Sequence, residues 1–250
     1  MKLVALVVLA ACSHGDPAPR PSEPLPYAPM HGFMLTATDL ITSVADDWGS
    51  THVILRRWRR DGHGLGWRDH PSEWDGVIGS AGLGWGDGLH GIGAPEGRDG
   101  PVKREGDNRS PAGAFRITQF FGYEPEAPFK HYLQLTDHTE CVDDPKSTAY
   151  NTIVEHTGSA DWRSSEHMRR TDDLYSLGAV VNHNAQRTPG HGSCIFLHVW
   201  SRPVSPTVGC TAMAKENLAA LAGLGDDVVF VQLTRAEYSA LQDQWGLPPQ

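Results

Sequence analysis

Short apolar stretches separated by clusters of glycine, proline, aspartate and asparagine run along most of this chain. "THVILRRW" (51–58) is rich in strand formers, "GVIGSAGLGWG" (76–86) mixes apolar residues with glycines, and "GAFRITQFFGY" (113–123) is a third strand candidate. "HYLQLT" (131–136) alternates with period two. "AVVNHN" (179–184) and "SCIFLHVW" (193–200) are apolar enough for strands buried on both faces. In the last of these, alternation puts Cys194, Phe196, His198 and Trp200 on one face and Ile195, Leu197 and Val199 on the other. Helical spacing occurs at "KENLAALAGL" (215–224) and "RAEYSALQDQW" (235–245), on either side of a strand in "DVVFVQLT" (227–234). The pattern predicts a mainly β domain with one or two short helices, and no solenoid or propeller repeat interrupts it. The 27 glycines and 18 prolines agree with many short strands and tight turns.

The first thirty residues follow another pattern. Lys2 precedes an apolar run, "LVALVVLAA" (3–11), too short to span a bilayer, which reads as an export signal over 1–11. "LAAC" (9–12) resembles the lipobox of bacterial lipoproteins, in which Cys12 would carry the lipid and become the mature N-terminus; the alternative is an ordinary cleaved signal. "SHGDPAPRPSEPLPYAP" (13–29) has six prolines and few large apolar residues, so 12–30 is expected to be a tether, with one domain over 31–250.

Charge narrows the partners. With 30 acidic against 21 basic residues the formal net charge is −9, the opposite of a nucleic-acid footprint. The basic run "LRRWRR" (55–60) is expected to be a solvated strand face, with contact to an anionic wall polymer as the alternative. The tryptophans at 48, 58, 67, 74 and 85 are expected to pack in the interior, not to form a carbohydrate platform.

Candidate chemistry centres on "HVWSRPVSPTVGCTAM" (198–213), where eleven residues separate His198 from Cys210. A free thiol is only slightly ionised at neutral pH, and an imidazole that takes its proton creates the thiolate that attacks a carbonyl. Gly209 lets backbone approach a substrate closely, with adjacent amides as oxyanion donors. Buried cysteine and histidine are also ordinary structural residues. Setting Cys12 aside leaves Cys141, Cys194 and Cys210; either one bridge forms and one thiol stays free, or all three are reduced. His183 and His191 could join His198 around zinc, but intervals of eight and seven match no short metal motif, so no metal and no cofactor is expected. "GDNRSPAGAF" (106–115) lacks the lysine and spacing of a phosphate loop and reads as a turn feeding a strand.

In these segments the chain resembles the catalytic domain of the L,D-transpeptidases, the YkuD family of bacterial cell-wall enzymes. "FLHVW" (196–200) matches the strand that ends in the family's histidine. "TVGCTAM" (207–213) matches its nucleophile motif, "KREGDNRSPAGAFRI" (103–117) its glycine-rich entry, and "CVDDPKSTAYN" (141–151) the branch with an insert before the catalytic half; together these cover about 75–233. The resemblance implies a mainly β, YkuD-like β-sandwich. It implies a Cys210 nucleophile, His198 as base then acid, and oxyanion or substrate contacts from Gly209, Val208 and Thr207, with His183 and Asn184 lining the cleft. The implied reaction is attack on the peptidoglycan stem-peptide bond before the terminal D-amino acid. An amine acceptor would give a crosslink, and water would make the enzyme a carboxypeptidase. The alternatives are a hydrolase that releases wall-linked groups and a non-catalytic, lipid-tethered wall-binding module. Stem peptides and, through Cys12, a membrane surface facing the periplasm are the implied partners. Ala212 stands where many members have arginine and Val199 where many have glycine, which puts the usual substrate contacts in question. With Cys210 as nucleophile, Cys141 and Cys194 are the pair expected to form a disulfide.

Overall fold

A computed structural model describes residues 32–60 and 66–250. The export signal, Cys12 and the whole of the tether fall outside the described residues. A short helix α1 (Gly32–Leu35) leads into β1 (Asp39–Ala45), β2 (His52–Arg60), β3 (Trp67–Val77), β4 (Leu83–Trp85), β5 (Ser110–Gly122) and β6 (Tyr132–Gln134). Then come β7 (Thr139–Val142), β8 (Thr152–Glu155), β9 (Ser165–His167), β10 (Leu177–Val181), β11 (Phe196–Val199) and β12 (Thr211–Met213), followed by α2 (Lys215–Ala219), β13 (Val228–Thr234) and α3 (Arg235–Trp245). The mainly β expectation holds, with two short helices where the sequence suggested them.

The sandwich expectation needs correcting. Eight strands form a closed ring in the order β10, β11, β12, β3, β2, β1, β13, β5, and β5 pairs again with β10. Closure follows from β10 having two partners, β11 through Gly178 opposite His198 and β5 through Ala179 opposite Phe120, so that neither is left as a free edge. β4 and β6 add to β5 outside the ring. The insert forms a separate antiparallel sheet, ordered β8, β7, β9.

β13 is buried along its whole length, paired on its edges with β1 and β5 and contacted by α3, and apart from Gln232 and Thr234 it is apolar. β1 was not legible as a strand, since its centre is polar. Thr42 accepts a hydrogen bond from Trp58 Nε1 at 2.9 Å, and Ser43 donates to Gln232 Oε1 at 3.0 Å, so both buried hydroxyls are satisfied, one on each face of the strand. The "GVIGSAGLGWG" stretch breaks into the end of β3 and β4. Gly82 turns there with φ +78°, and a Cβ would lie 2.0 Å from the Trp48 carbonyl oxygen. α2 stops at Ala219, five residues before the predicted end, yet Leu221 and Leu224 remain buried in the main core. α3 has the expected extent: Thr234 Oγ1 accepts from the Glu237 amide, Gly246 ends the helix in the left-handed region, and Tyr238, Leu241 and Trp245 face inward.

The arginine run is not simply a solvated face. Arg57 is buried, donates to the Ala220 carbonyl at 2.8 Å and lies 3.6 Å from the buried carboxylate of Asp39. Arg56 pairs with Glu73 at the surface. Trp58, Trp74 and Trp85 are core residues, and Trp48 and Trp67 pack against that core.

Candidate functional site

β11 divides its side chains between two interiors, as alternation predicted. Ile195, Leu197 and Val199 enter the main core, whereas Phe196 joins a second cluster with Phe121, Tyr175, Cys194 and Cys210. His198 lies on this second face, its ring edge-on to Tyr175 with centroids 5.2 Å apart. β12 runs parallel to β11, with Thr211 opposite Leu197 and Ala212 opposite His198. Cys210, one residue before β12, therefore comes beside Phe196, and the Phe196 amide donates to its Sγ at 3.3 Å. Cys210 and His198 line the same cleft, about 600 Å³ in volume, which is ample for a peptide segment.

The predicted strand at 193–200 begins only at Phe196. Cys194 has φ +53° and is bonded to Cys141 of β7 with Cα atoms 6.0 Å apart, so the bridge ties the insert to the approach to β11. Among the described residues Cys210 is the free cysteine. Its S–H donates to the Cys194 carbonyl at 3.5 Å, and no hydrogen bond joins it to His198 among the described residues.

Electrostatics sets the resting state of the pair. His198 Nδ1 donates to the Val199 carbonyl at 2.8 Å, which fixes the tautomer and leaves Nε2 as the acceptor. Burial is the largest influence on the ring and lowers its pKa to about 4; the Arg170 charge acts the same way, against the Val199 carbonyl. Burial pushes the Cys210 thiol up to about 12, and the charge of Glu166 adds to that, while the Phe196 amide and Lys103 oppose it. The substrate-free pair is a neutral thiol and a neutral imidazole. Attack therefore requires the proton to move as the sulfur–carbon bond forms.

Several sequence-predicted residues have roles other than those expected. Thr207 Oγ1 donates to the Cys210 carbonyl at 2.6 Å and accepts from the Gly209 amide at 3.1 Å. Without substrate, the Gly209 amide expected in an oxyanion hole is thus held by Thr207. Ser110 also donates to the Cys210 carbonyl, at 2.9 Å, completing a clamp that the sequence did not reveal. Gly209 has φ +152°, and a Cβ there would lie 3.2 Å from the Arg109 carbonyl oxygen. Val208 lines the cleft and is 77% exposed.

His183 and Asn184 do not line the cleft with Cys210, which corrects the expectation for both. His183 Nδ1 accepts from the Asp87 amide at 3.2 Å and Nε2 meets the His191 carbonyl at 3.0 Å, so both ring nitrogens are occupied. Asn184 donates to the carbonyls of Thr188 and Gly192 and accepts from the Thr188 amide, closing the 184–192 loop on itself. His191 pairs with Asp87 at 2.7 Å, so the three imidazoles considered for zinc do not converge. Among the described residues no group of three or more His, Cys, Asp and Glu is arranged to hold a metal ion.

Other cleft residues were not singled out from sequence: Glu166 in β9, Arg170, Tyr175 and Lys103. Tyr175 donates to Glu166 Oε1 at 2.5 Å, and Lys103 Nζ is tied to Asp107 at 2.6 Å and to the Arg104 carbonyl at 2.7 Å. Val199 and Ala212 acquire a structural context. Val199 points its side chain into the main core and uses only its carbonyl at the site. Ala212 faces the cleft, where the chain after β9 supplies a guanidinium, that of Arg170.

Comparison of the chain with family models, with curated proteins and with solved structures finds no match.

Proposed function

We propose that this chain is a cysteine acyltransferase of the bacterial cell wall, an L,D-transpeptidase with a YkuD-like catalytic domain, exported and held at a membrane through Cys12. The observation that carries the reading is the neighbouring strand pair. β11 and β12 run parallel and bring His198 and Cys210, twelve residues apart in sequence, into one cleft with the histidine tautomer already set.

The chemistry follows from that geometry. The thiol turns from the Cys194 carbonyl toward a bound stem peptide, and His198 Nε2 takes its proton as Sγ attacks the carbonyl before the terminal D-amino acid. The negative oxygen is met by amides of the Gly209–Cys210 turn once substrate draws the Gly209 amide from Thr207, with the fixed ammonium of Lys103 close by. The imidazolium then protonates the leaving amine. A thioester remains on Cys210 until an amine attacks it and yields its proton to His198, which regenerates the thiol as the new amide forms.

Intact-protein mass spectrometry after incubation with a stem tetrapeptide tests this reading. The wild-type protein should gain the acyl mass and lose it on addition of an acceptor amine, with crosslinked peptide as product. Cys210→Ala should gain none, and His198→Ala should acylate slower by orders of magnitude. Release of the D-amino acid without crosslinking would make it a carboxypeptidase, and acylation that survives Cys210→Ala would overturn the mechanism.

A further inference from the structure

Cys194 borders two clefts at once. On one side it lines the cleft of Cys210; on the other it joins Cys141, Gln119, Asn151, Thr152 and Arg187 around a second cleft of about 280 Å³. Three of the six described non-glycine residues with left-handed φ line this second cleft: Asn151 at +57°, Arg187 at +56° and Cys194 at +53°. Asparagine tolerates that region, whereas a cysteine stays there only when its surroundings hold it. Backbone outliers of this kind gather at switches and functional sites.

The contacts of Cys194 show what holds it. Its side chain is bonded to Cys141, and its amide donates to Asn151 Oδ1 at 3.0 Å. In that posture its carbonyl accepts the S–H of Cys210 at 3.5 Å. The local sequence favours a different posture. Residues 193–200 carry the alternation of one unbroken strand, with Cys194 on the face of Phe196 and His198, yet β11 starts only at Phe196. Two backbone states of this segment therefore compete, and the bridge belongs to one of them.

We propose that the Cys141–Cys194 disulfide is a redox switch, opened by a small dithiol entering the second cleft, and that opening it lets β11 extend back over Cys194 and silences Cys210. The proposal rests on the acyl-transfer reading for what is switched and adds its regulation. One thiolate of the dithiol attacks a bridge sulfur; the S–S bond breaks, a mixed disulfide forms, and the other cysteine leaves as a thiolate that takes up a proton. The second thiol of the reagent then displaces the remaining cysteine, closing a cyclic disulfide. The bridge has gained the two electrons that the dithiol lost. Freed from Cys141, Cys194 moves to the extended region that non-glycine residues prefer. Its carbonyl turns from Cys210, and its side chain swings to the face of Phe196 and His198, covering the thiol and its base. The bridged protein is the active form, and the start of β11 is the two-state element.

Variants without the bridge separate this switch from a merely loosened insert. In Cys141→Ser with Cys194→Gly, glycine keeps the left-handed backbone freely, so iodoacetamide should label Cys210 at close to the wild-type rate. In Cys141→Ser with Cys194→Val, whose branched side chain favours extended backbone, labelling should be about tenfold slower. Acylation by a stem tetrapeptide should follow the same order. Equal rates in the two variants overturn the proposal, since both lack the bridge equally. Cys194→Ser in the same background, expected between them, replaces valine if circular dichroism shows that variant unfolded. In the wild-type protein, dithiothreitol without denaturant should make Cys141 and Cys194 alkylatable by peptide mapping and slow the labelling of Cys210, with recovery on re-oxidation. Gln119→Trp, which fills the second cleft, should slow bridge opening about tenfold and leave Cys210 labelling of the bridged protein unchanged. A bridge that opens only in denaturant, or equally fast in Gln119→Trp, also overturns the proposal. If labelling follows the switch but no variant is acylated, the switch stands and the acyl-transfer reading falls.

Discussion

The ring and the insert are held together by different means. Successive backbone ladders close the ring, and one large apolar cluster joins its strands to β4 and α3 and includes Phe115, Phe230, Trp85 and Trp245, each almost fully buried. The sheet of β7, β8 and β9 has a short apolar contribution, chiefly Cys141, Met168 and Ile153, and relies on side-chain hydrogen bonds and a crosslink. Asp161 accepts from Ser147 and Thr148, Asp144 from the amides of Lys146 and Arg163, and Glu140 from Trp162 and Ser165. Apolar burial is spread over many contacts and is nearly indifferent to pH and redox state, whereas carboxylates and a disulfide respond to both. The cleft lies between the two regions, with nucleophile and base from the ring and Glu166 from the insert. Catalytic geometry is therefore only as durable as the weaker partner.

The largest expected effect is in the ring. Phe230 lies at the middle of β13 with no room to relax, so Phe230→Ala should cost about 3 to 5 kcal/mol and lower the midpoint of a single cooperative thermal transition in which the insert is lost with the ring. Two transitions, with the insert melting at its wild-type temperature, would mean that the regions are independent.

Opening the disulfide should have a smaller and more local effect. The bridge spans 53 residues, which corresponds to about 4 kcal/mol in the chain-entropy model and typically less when measured. In Cys141→Ser with Cys194→Ser, hydrogen exchange should rise in β7 to β9 and around Glu166 while β1 and β13 amides keep their protection. Uniform loss of protection across both regions would break the distinction.

Acid should produce the most graded effect, in two windows. His183 and His198 are held near 4 by burial against an ordinary value near 6.5, so the unfolded chain binds protons that the native one refuses. Their contribution to stability is complete above about 6.5 and declines as pH falls toward 4. Asp144, Asp161 and Glu140 have depressed values from their hydrogen bonds, so what they contribute is present above the ordinary carboxylate range and is lost as pH falls through their lower folded values. Denaturant midpoints measured across pH should decline first between 6.5 and 4, with exchange in the insert accelerating below that. A midpoint flat from pH 7 to 4 would show that the two histidines are not held neutral.

Much of this architecture was readable in the chain because it depends on periodicity. β2, β5, β13 and α3 emerged where alternation or helical spacing was strong, and the two faces of β11 were separable by parity alone. Cys210 and His198 could be singled out because their residue types carry chemistry. What escaped notice depended on pairing between distant residues. β1 was hidden by Thr42 and Ser43, whose hydroxyls are tolerable only because Trp58 and Gln232 meet them. Glu166 and Tyr175 are ordinary in their local context and gain meaning only when the insert folds against the cleft. His183 and Asn184 misled for the opposite reason: polar residues at a strand end suggest a binding site, yet here they fasten a loop.

The first and last strands of the ring are neighbours. β1 pairs in parallel with β13 along its whole length, Asp39 beside Val228 through Ala45 beside Thr234. A chain made from its amino end lacks this partner until β13 has been synthesised, and β5 also waits for the same strand. Ring closure is thus a late event of high contact order, and a nascent chain threaded through a narrow channel would cross before it could fold. Losing the final twenty residues or so would remove α3 and the end of β13 together, leaving the opposite wall of the ring unclosed although every residue of the cleft was still present.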